Sequence, residues 1–217
     1  MSRRSFDQEL EEIKQDVIKM GKLAKEAVYT SVRSLAEQDL QLVDKVFAVE
    51  DETDVLNLSI EDRCLRLTAL QQPVARDLRF IAAMMRISYN FERMADHAAK
   101  IAEITRKTAS KPLLKPLIDI PRMAGIISEM VDINLQAIAA RDVKPTEELS
   151  KKDDLVDALY EQVYKELLTF MIKDPKTIDD ATHLLIVALY LERIGDIACT
   201  TGSRIVYMIE GRRVWIK

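Results

Sequence analysis

The chain has 217 residues and a formal net charge of −4, with 48% hydrophobic and 31% charged residues. This length is enough for one large or two small domains with real cores. Five glycines and six prolines are too few for the turns that sandwiches and barrels need roughly every 8–12 residues, so an all-α fold is predicted. The acidic balance argues against nucleic acid as a partner. Cys64 and Cys199 lie inside helical patterns and suggest no disulfide framework, which favours a reduced cytoplasmic setting.

Three helices are predicted in the first half of the chain. The first has a buried seam in alternating steps of three and four, formed by Leu10, Ile13, Val17, Met20, Ala24 and Ala27. Asp39 is suited to cap the second helix. Pro73 is suited to the first turn of the third, which is expected to run to about Arg106.

The segment from Lys107 to Pro121 contains three prolines and is predicted to link the two halves. Three more helices follow, with Thr146 and Thr177 as candidate caps of the fifth and sixth, and Gly211 as the end of the sixth. The N-terminal segment soon becomes acidic and amphipathic, unlike a signal peptide, and no uninterrupted run of about 18 apolar residues occurs. Long helices joined by short loops pack antiparallel. Two three-helix bundles related by pseudo-twofold symmetry are therefore predicted, over residues 1–108 and 109–217.

The second half repeats the motifs of the first. The segment Glu92-Arg93-Met94-Ala95-Asp96 recurs 100 residues later as Glu192-Arg193-Ile194-Gly195-Asp196. The segment Glu50-Asp51-Glu52-Thr53-Asp54 recurs 103 residues later as Asp153-Asp154-Leu155-Val156-Asp157. Helices one to three therefore correspond to helices four to six.

Each half contains two carboxylate pairs at i and i+4, a spacing that places both side chains on one face of a helix. Glu50 and Asp54 with Glu92 and Asp96 are predicted to converge across one helix–helix groove, and Asp153 and Asp157 with Glu192 and Asp196 across the other. Clusters of carboxylate oxygens suit hard cations such as Mg²⁺, Mn²⁺, Ca²⁺ or oxidised iron. The competing interpretation is an ordinary solvated acidic face, in which Arg93 and Arg193 form salt bridges with the glutamates.

Other functions remain open at this point. A ferritin-like di-iron protein needs Glu-x-x-His on two helices, whereas the sequence offers only one related spacing, Asp180 to His183. A helical phosphotransfer protein using His97 and a metal-free helical adaptor are further alternatives. No glycine-rich phosphate loop, GxSxG elbow or HExxH motif occurs, so no enzymatic activity is predicted.

The duplicated segments resemble the ERIGD signature of the PhoU family, and the pairs Glu50/Asp54 and Asp153/Asp157 resemble its other acidic motif, E(D)xxxD. The segment from Gln72 to Arg79 resembles the family's RQPxAxDLR segment. The resemblance covers essentially the whole chain. It implies a cytoplasmic, often dimeric negative regulator of the phosphate-starvation response, one that connects the ATPase subunit of a phosphate ABC transporter with a sensor histidine kinase.

The resemblance also implies metal ions, among them iron, zinc, magnesium or manganese, at the eight acidic residues named above. It implies at most peripheral membrane contact, through partners. Met94 and Ala95 depart from the isoleucine and glycine that the family prefers. Because alanine adds a methyl group in a close-packed row, the site in the second half is expected to be the better formed.

Overall fold

The computed structural model describes residues 3–216, with side-chain environments from Ser5 onward. Six long helices make up most of this range, and no strand occurs within it. Their bounds are Arg3–Glu37 (α1), Leu40–Gln71 (α2), Ala75–Thr108 (α3), Asp119–Ala140 (α4), Leu149–Lys173 (α5) and Ile178–Glu210 (α6). The prediction of an all-α fold is confirmed.

The helices form two bundles of three. α1, α2 and α3 pack on one another, and α4, α5 and α6 do the same. The whole apolar row predicted for α1 is buried, because its members recur at the helical period and therefore lie on the face turned toward α2 and α3.

The two bundles share one core, since α1 packs against α4 and α3 packs against α6. Gly21 makes the first of these contacts possible: a Cβ atom there would lie 2.5 Å from Leu135 on α4 and 2.9 Å from Phe91 on α3. At the edge of this contact, the Lys25 ammonium lies 2.6 Å from the Asp132 carboxylate.

α3 and α6 run antiparallel at the centre of the molecule. The Asn90 amide donates a hydrogen bond of 3.0 Å to the Thr201 hydroxyl, and the His97 ring stacks on Tyr190 with ring centroids 5.4 Å apart. As the contacts move along α3 they move backwards along α6, which is the arrangement that a pseudo-twofold axis perpendicular to these two helices produces.

The helix ends follow the sequence predictions only in part. The Asp39 carboxylate caps α2 by accepting a hydrogen bond from Gln41 N at 2.8 Å, and Gly211 ends α6 with φ at 76°. Thr146 and Thr177, however, provide no side-chain cap, because a short 3₁₀ turn precedes α5 and another precedes α6. The Thr146 hydroxyl donates instead to the carbonyl of Val143, behind it in the chain.

α3 begins at Ala75, two residues after Pro73. Among the described helices, α4 is the one that is long and apolar enough to cross a membrane by length and composition. Half of its most apolar window is buried inside the protein, and α1, α5 and α6 all pack against it. Its apolar character is that of a helix in a protein core.

Candidate metal-binding site

In the first bundle, α2 and α3 present their acidic pairs to each other. Glu50, Glu92 and Asp96 are partly buried, and Asp54 is exposed. Burial raises the pKa of Glu92, and the charges of Asp54, Asp96 and Glu50 raise it further. Because Glu50 and Asp54 lie on α2, this mutual effect indicates that the two pairs face one another across the groove, as the repeat predicted.

The two site carboxyl groups on α2 respond in the same way. The pKa of Glu50 is raised by burial first and then by neighbouring carboxylates, including Asp54 and Asp96. Although Asp54 is largely exposed, partial desolvation by its neighbours, followed by the charges of Asp51 and Asp96, likewise raises its pKa. Each group is harder to ionise because its neighbours are negative. A bound cation would reverse that penalty.

The second bundle repeats this arrangement, and one of its acidic residues is more deeply buried. Asp153 on α5 is only 7% exposed, and its pKa rises to about 6, through burial first and then the charges of Asp157 and Asp196. Burial and the same Asp196 charge raise the pKa of Asp157. The pKa of Glu192 is raised by burial and then by Asp196 and Asp157. The second groove therefore also brings its four acidic residues together.

Gly195 explains how α6 approaches Asp153 so closely. A Cβ atom at Gly195 would lie 3.1 Å from Oδ1 of Asp153 and 3.6 Å from Val156, so the missing side chain leaves room for the carboxylate. Ala95 occupies the matching position of the first bundle and is fully buried. The Cys199 thiol lies within hydrogen-bonding reach of Asp153, and burial raises its pKa well above the usual range. Cys199 is therefore a neutral neighbour of the site.

The acidic residues are short of cationic partners. Within the part of the chain that the structure describes, seven of the eight form no ion pair; the exception is Asp96, whose carboxylate lies 2.6 Å from the Lys100 ammonium. Neither Arg93 nor Arg193 forms an ion pair with any described residue, so the salt bridges of the competing interpretation do not occur there. Oε2 of Glu92 is buried without a hydrogen-bond partner. Such an atom carries a desolvation cost unless a cation or a donor reaches it.

The carboxylates face one another without forming a closed set of ligands. No three Asp, Glu, His or Cys side chains among residues 3–216 are arranged as a group that could hold a metal ion. The side chains that surround each groove would have to turn toward a shared ion to coordinate it.

Sequence reasoning missed one difference between the two sites. Lys100 and Thr200 stand at matching positions, four residues after Asp96 and Asp196. The first site therefore has an internal cation, whereas the second has a hydroxyl. Placing the two repeats on each other at the spacing of 100 residues would have revealed it.

His97 is an unsuitable phosphotransfer residue in this fold. The residue is only 5% exposed, both ring nitrogens are buried without a hydrogen-bond partner, and burial lowers its pKa to about 4. A phosphodonor cannot reach a ring that is stacked on Tyr190 between α3 and α6.

Comparison with known proteins agrees with this architecture. The PhoU domain matches residues 17–105 and again residues 120–205. The phosphate-specific transport system accessory protein PhoU homolog of Aquifex aeolicus is 40% identical over 206 residues, covering 95% of this chain and 93% of the relative. The homolog of the same name from Clostridium acetobutylicum is 33% identical over 215 residues, covering 99% and 98%.

Solved structures show the same fold. The crystal structure of PhoU from Pseudomonas aeruginosa superposes with a TM-score of 0.90 at 27% identity, over 95% of this chain and all of that one. The phosphate transport system regulatory protein PhoU from Streptococcus pneumoniae superposes with a TM-score of 0.88 at 28% identity, over 96% and 99%. These relatives are named as accessory or regulatory proteins, in accord with the prediction that the chain is not an enzyme. Two matched domains and full-length similarity establish that the chain belongs to the PhoU family.

Proposed function

We propose that this protein is a cytoplasmic negative regulator that links a phosphate ABC transporter, through its ATPase subunit, to the sensor histidine kinase of the phosphate-starvation response. The names of its relatives support the first half of this role, because they are accessory proteins of phosphate-specific transport systems. The protein would act by presenting surfaces that partners bind.

The acidic grooves are proposed to bind metal ions that shape one of these surfaces. The observation that carries this proposal is the set of facing, partly buried carboxylates, whose pKa values are raised first by burial and then by one another's charges. Like charges held together destabilise a fold until a cation enters. The donors are carboxylate oxygens, which fit Mg²⁺, Mn²⁺ or oxidised iron better than zinc, because zinc favours nitrogen and sulfur ligands.

In the second groove, Asp153, Asp157, Glu192 and Asp196 would hold the ion, and they have no internal cation to displace. In the first groove, Glu50, Asp54, Glu92 and Asp96 would do so, but Lys100 already neutralises Asp96. Metal binding is therefore proposed to be stronger in the second half.

Metal content is measured on protein purified without a chelating tag and dialysed against Mn²⁺ or Fe³⁺. The double variant Glu192→Gln with Asp196→Asn is expected to lose the tighter site, because both substitutions keep the shape of the side chain and remove its charge. The control is Glu129→Gln with Asp132→Asn, two α4 carboxylates that lie outside the grooves and already have lysine partners. Equal metal content in wild type and both variants would leave the metal-free adaptor as the better description.

The regulatory role is tested in cells and with purified partners. Deleting the gene is expected to switch on a phosphate-starvation reporter in medium rich in phosphate, and the wild-type gene is expected to silence it again. Retention of the transporter's ATPase subunit and of the kinase on immobilised protein tests the link directly. If neither partner is retained, the linking role is rejected even if the chain binds metal.

Dimer formation stays a prediction from the family resemblance. Light scattering on the purified protein would measure it, with a mass of twice 24.8 kDa expected for the dimer.

A further inference from the structure

A pocket lies beside α6, outside both acidic grooves. It has a volume of about 240 Å³, and it is lined by side chains of α6 and of the segment that follows it: Thr200, Ser203, Arg204, Tyr207, Arg213, Val214, Trp215 and Ile216. The α6 residues form one wall. Residues 213–216 form the other, after the chain turns back at Gly211, where φ is 76°.

The wall formed by the tail is fixed in place. The backbone N–H of Ile216 donates a hydrogen bond of 3.1 Å to the Ser203 hydroxyl, and the Ile216 side chain packs against the core. Gly202 makes room for it, because a Cβ atom there would lie 3.1 Å from Cδ1 of Ile216. The pocket is therefore a built feature of the fold rather than the path of a loose terminus.

Two guanidinium groups of the pocket are free to bind an anion. Arg204 and Arg213 have no ion pair or hydrogen bond with any residue in the described range 3–216. Arg213 lies over the ring of Tyr207, 5.8 Å from its centroid, which orients it without neutralising it. Arg212, next in the chain, is different, because it is paired with Glu210. Hydroxyl groups of Thr200 and Ser203 add neutral polar atoms to the same lining.

The indole of Trp215 lies at the rim and is 89% exposed. A large aromatic ring that remains in solvent beside two unpaired arginines is placed to stack on a flat group of a ligand. Guanidinium groups bind phosphate through paired, charge-assisted hydrogen bonds. Pockets for drug-sized ligands measure about 300–1,000 Å³, so this one suits a smaller group.

We propose that this pocket binds the phosphate group of a small phosphorylated ligand or of a lipid headgroup, with Arg204 and Arg213 as its cationic contacts. The first repeat has no such site, because Lys100, Glu103, Ile104 and Lys107 stand at the positions of Thr200, Ser203, Arg204 and Tyr207. The proposal is independent of metal in the grooves, although Thr200 follows Asp196 by only one helical turn.

Trp215 provides the assay, since it is the one tryptophan in the chain. Its fluorescence is followed while inorganic phosphate, adenosine monophosphate, or vesicles of phosphatidylcholine containing phosphatidylglycerol are titrated into the full-length protein. Two matched controls lack net negative charge: adenosine, which has no phosphate group, and pure phosphatidylcholine vesicles, in which choline balances each headgroup phosphate. Calorimetry repeats each titration that gives a signal.

Saturable binding of inorganic phosphate, adenosine monophosphate or the vesicles containing phosphatidylglycerol is expected, without binding of adenosine or of pure phosphatidylcholine vesicles. Arg204→Gln and Arg213→Gln are each expected to weaken it about tenfold or more, because each removes a charge-assisted contact. Arg212→Gln, the control, is expected to leave it unchanged. Binding of phosphate or the nucleotide identifies a small ligand, and binding of the anionic vesicles alone identifies a lipid headgroup.

Two results would overturn the proposal. The first is no saturable signal with any of the three phosphate-bearing ligands. The second is equal weakening by Arg204→Gln and Arg212→Gln, which would show general attraction to a basic surface. Circular dichroism of each variant establishes that it is folded before binding is compared.

Discussion

Replacing Asp153 with asparagine tests whether charge repulsion among the carboxylates of the second groove destabilises the fold. Burial and the neighbouring Asp157 and Asp196 raise the pKa of Asp153 from its ordinary 3.8 to about 6. The folded state therefore binds the proton more tightly than the unfolded state does. The resulting contribution to stability is complete below pH 4 and is lost as the pH rises to about 6. The loss amounts to about 3 kcal/mol, since each pKa unit corresponds to about 1.4 kcal/mol.

Asp153→Asn removes the charge and keeps both the shape of the side chain and an oxygen that can accept from the Cys199 thiol. In metal-free protein at pH 7, the free energy of unfolding of the variant is expected to be up to about 3 kcal/mol higher than that of wild type, so the variant is the more stable protein. At pH 4 the two proteins should differ little. Asp154→Asn, an exposed neighbour on the same helix, is the control and should change stability by less than about 0.5 kcal/mol.

The assay is urea unfolding in a buffer containing a chelator, at pH 4 and at pH 7. If the difference in the free energy of unfolding between Asp153→Asn and wild type does not grow from pH 4 to pH 7, the assumed charge repulsion in the groove is wrong. Adding Mn²⁺ at pH 7 should then stabilise wild type more than the variant, because only wild type keeps the full set of carboxylates.

Further substitutions test the packing, the acid response and the difference between the grooves. Gly202→Ala should destabilise the fold by about 1–3 kcal/mol in thermal unfolding, since its Cβ atom would lie 2.3 Å from Leu149. Gly125 has open space around it, so Gly125→Ala should stabilise the fold by about 0.5–1 kcal/mol. Asn90→Ala should cost about 1 kcal/mol in urea unfolding, because it removes the buried bond to Thr201. Burial lowers the pKa of His97 to about 4; Lys100, Arg93 and Arg193 add to the effect, and Asp96 opposes it. The neutral His97 ring therefore loses its contribution to stability as the pH falls from 6.5 toward 4. His97→Phe, which keeps a ring against Tyr190, should therefore lose about 3 kcal/mol less than wild type over that range. The exchange Lys100→Thr with Thr200→Lys should move the tighter Mn²⁺ site from the second half to the first in equilibrium dialysis, and unchanged distribution would exclude Lys100 as the cause of the asymmetry.

Much of the fold could be predicted from the sequence because the relevant signals are local and periodic. The α1 seam follows a 3.6-residue period, and every member of it is buried. The spacing of 100 residues between Glu92 and Glu192 predicted the repeat, which both the matched domains and the fold confirm. The convergence of the acidic pairs followed from that repeat together with the i, i+4 spacing.

Features that depend on tertiary structure were beyond the sequence. Thr146 looks like a helix cap, but its hydroxyl turns back to Val143 because a 3₁₀ turn precedes α5. The pocket beside α6 depends on where residues 213–216 return, and a basic, apolar terminus has no periodic pattern that would predict that path. The depth of Asp153 likewise depends on how closely α6 approaches at Gly195, which is a property of the assembled bundle.

The two acidic grooves occupy matching positions in the two repeats, yet they differ in how much of their negative charge the chain itself neutralises. In the first, Lys100 supplies a positive charge at 2.6 Å from Asp96, so that groove is partly neutralised by the chain itself. In the second, Thr200 stands at the position of Lys100, and Gly195 leaves room for Asp153 to be buried to 7% exposure. The carboxylate charge of the second groove is therefore both more buried and less neutralised. A buried charge without a partner costs far more than an exposed one. The second groove would therefore gain more from an external cation, which is the reason for proposing the tighter metal site in that half.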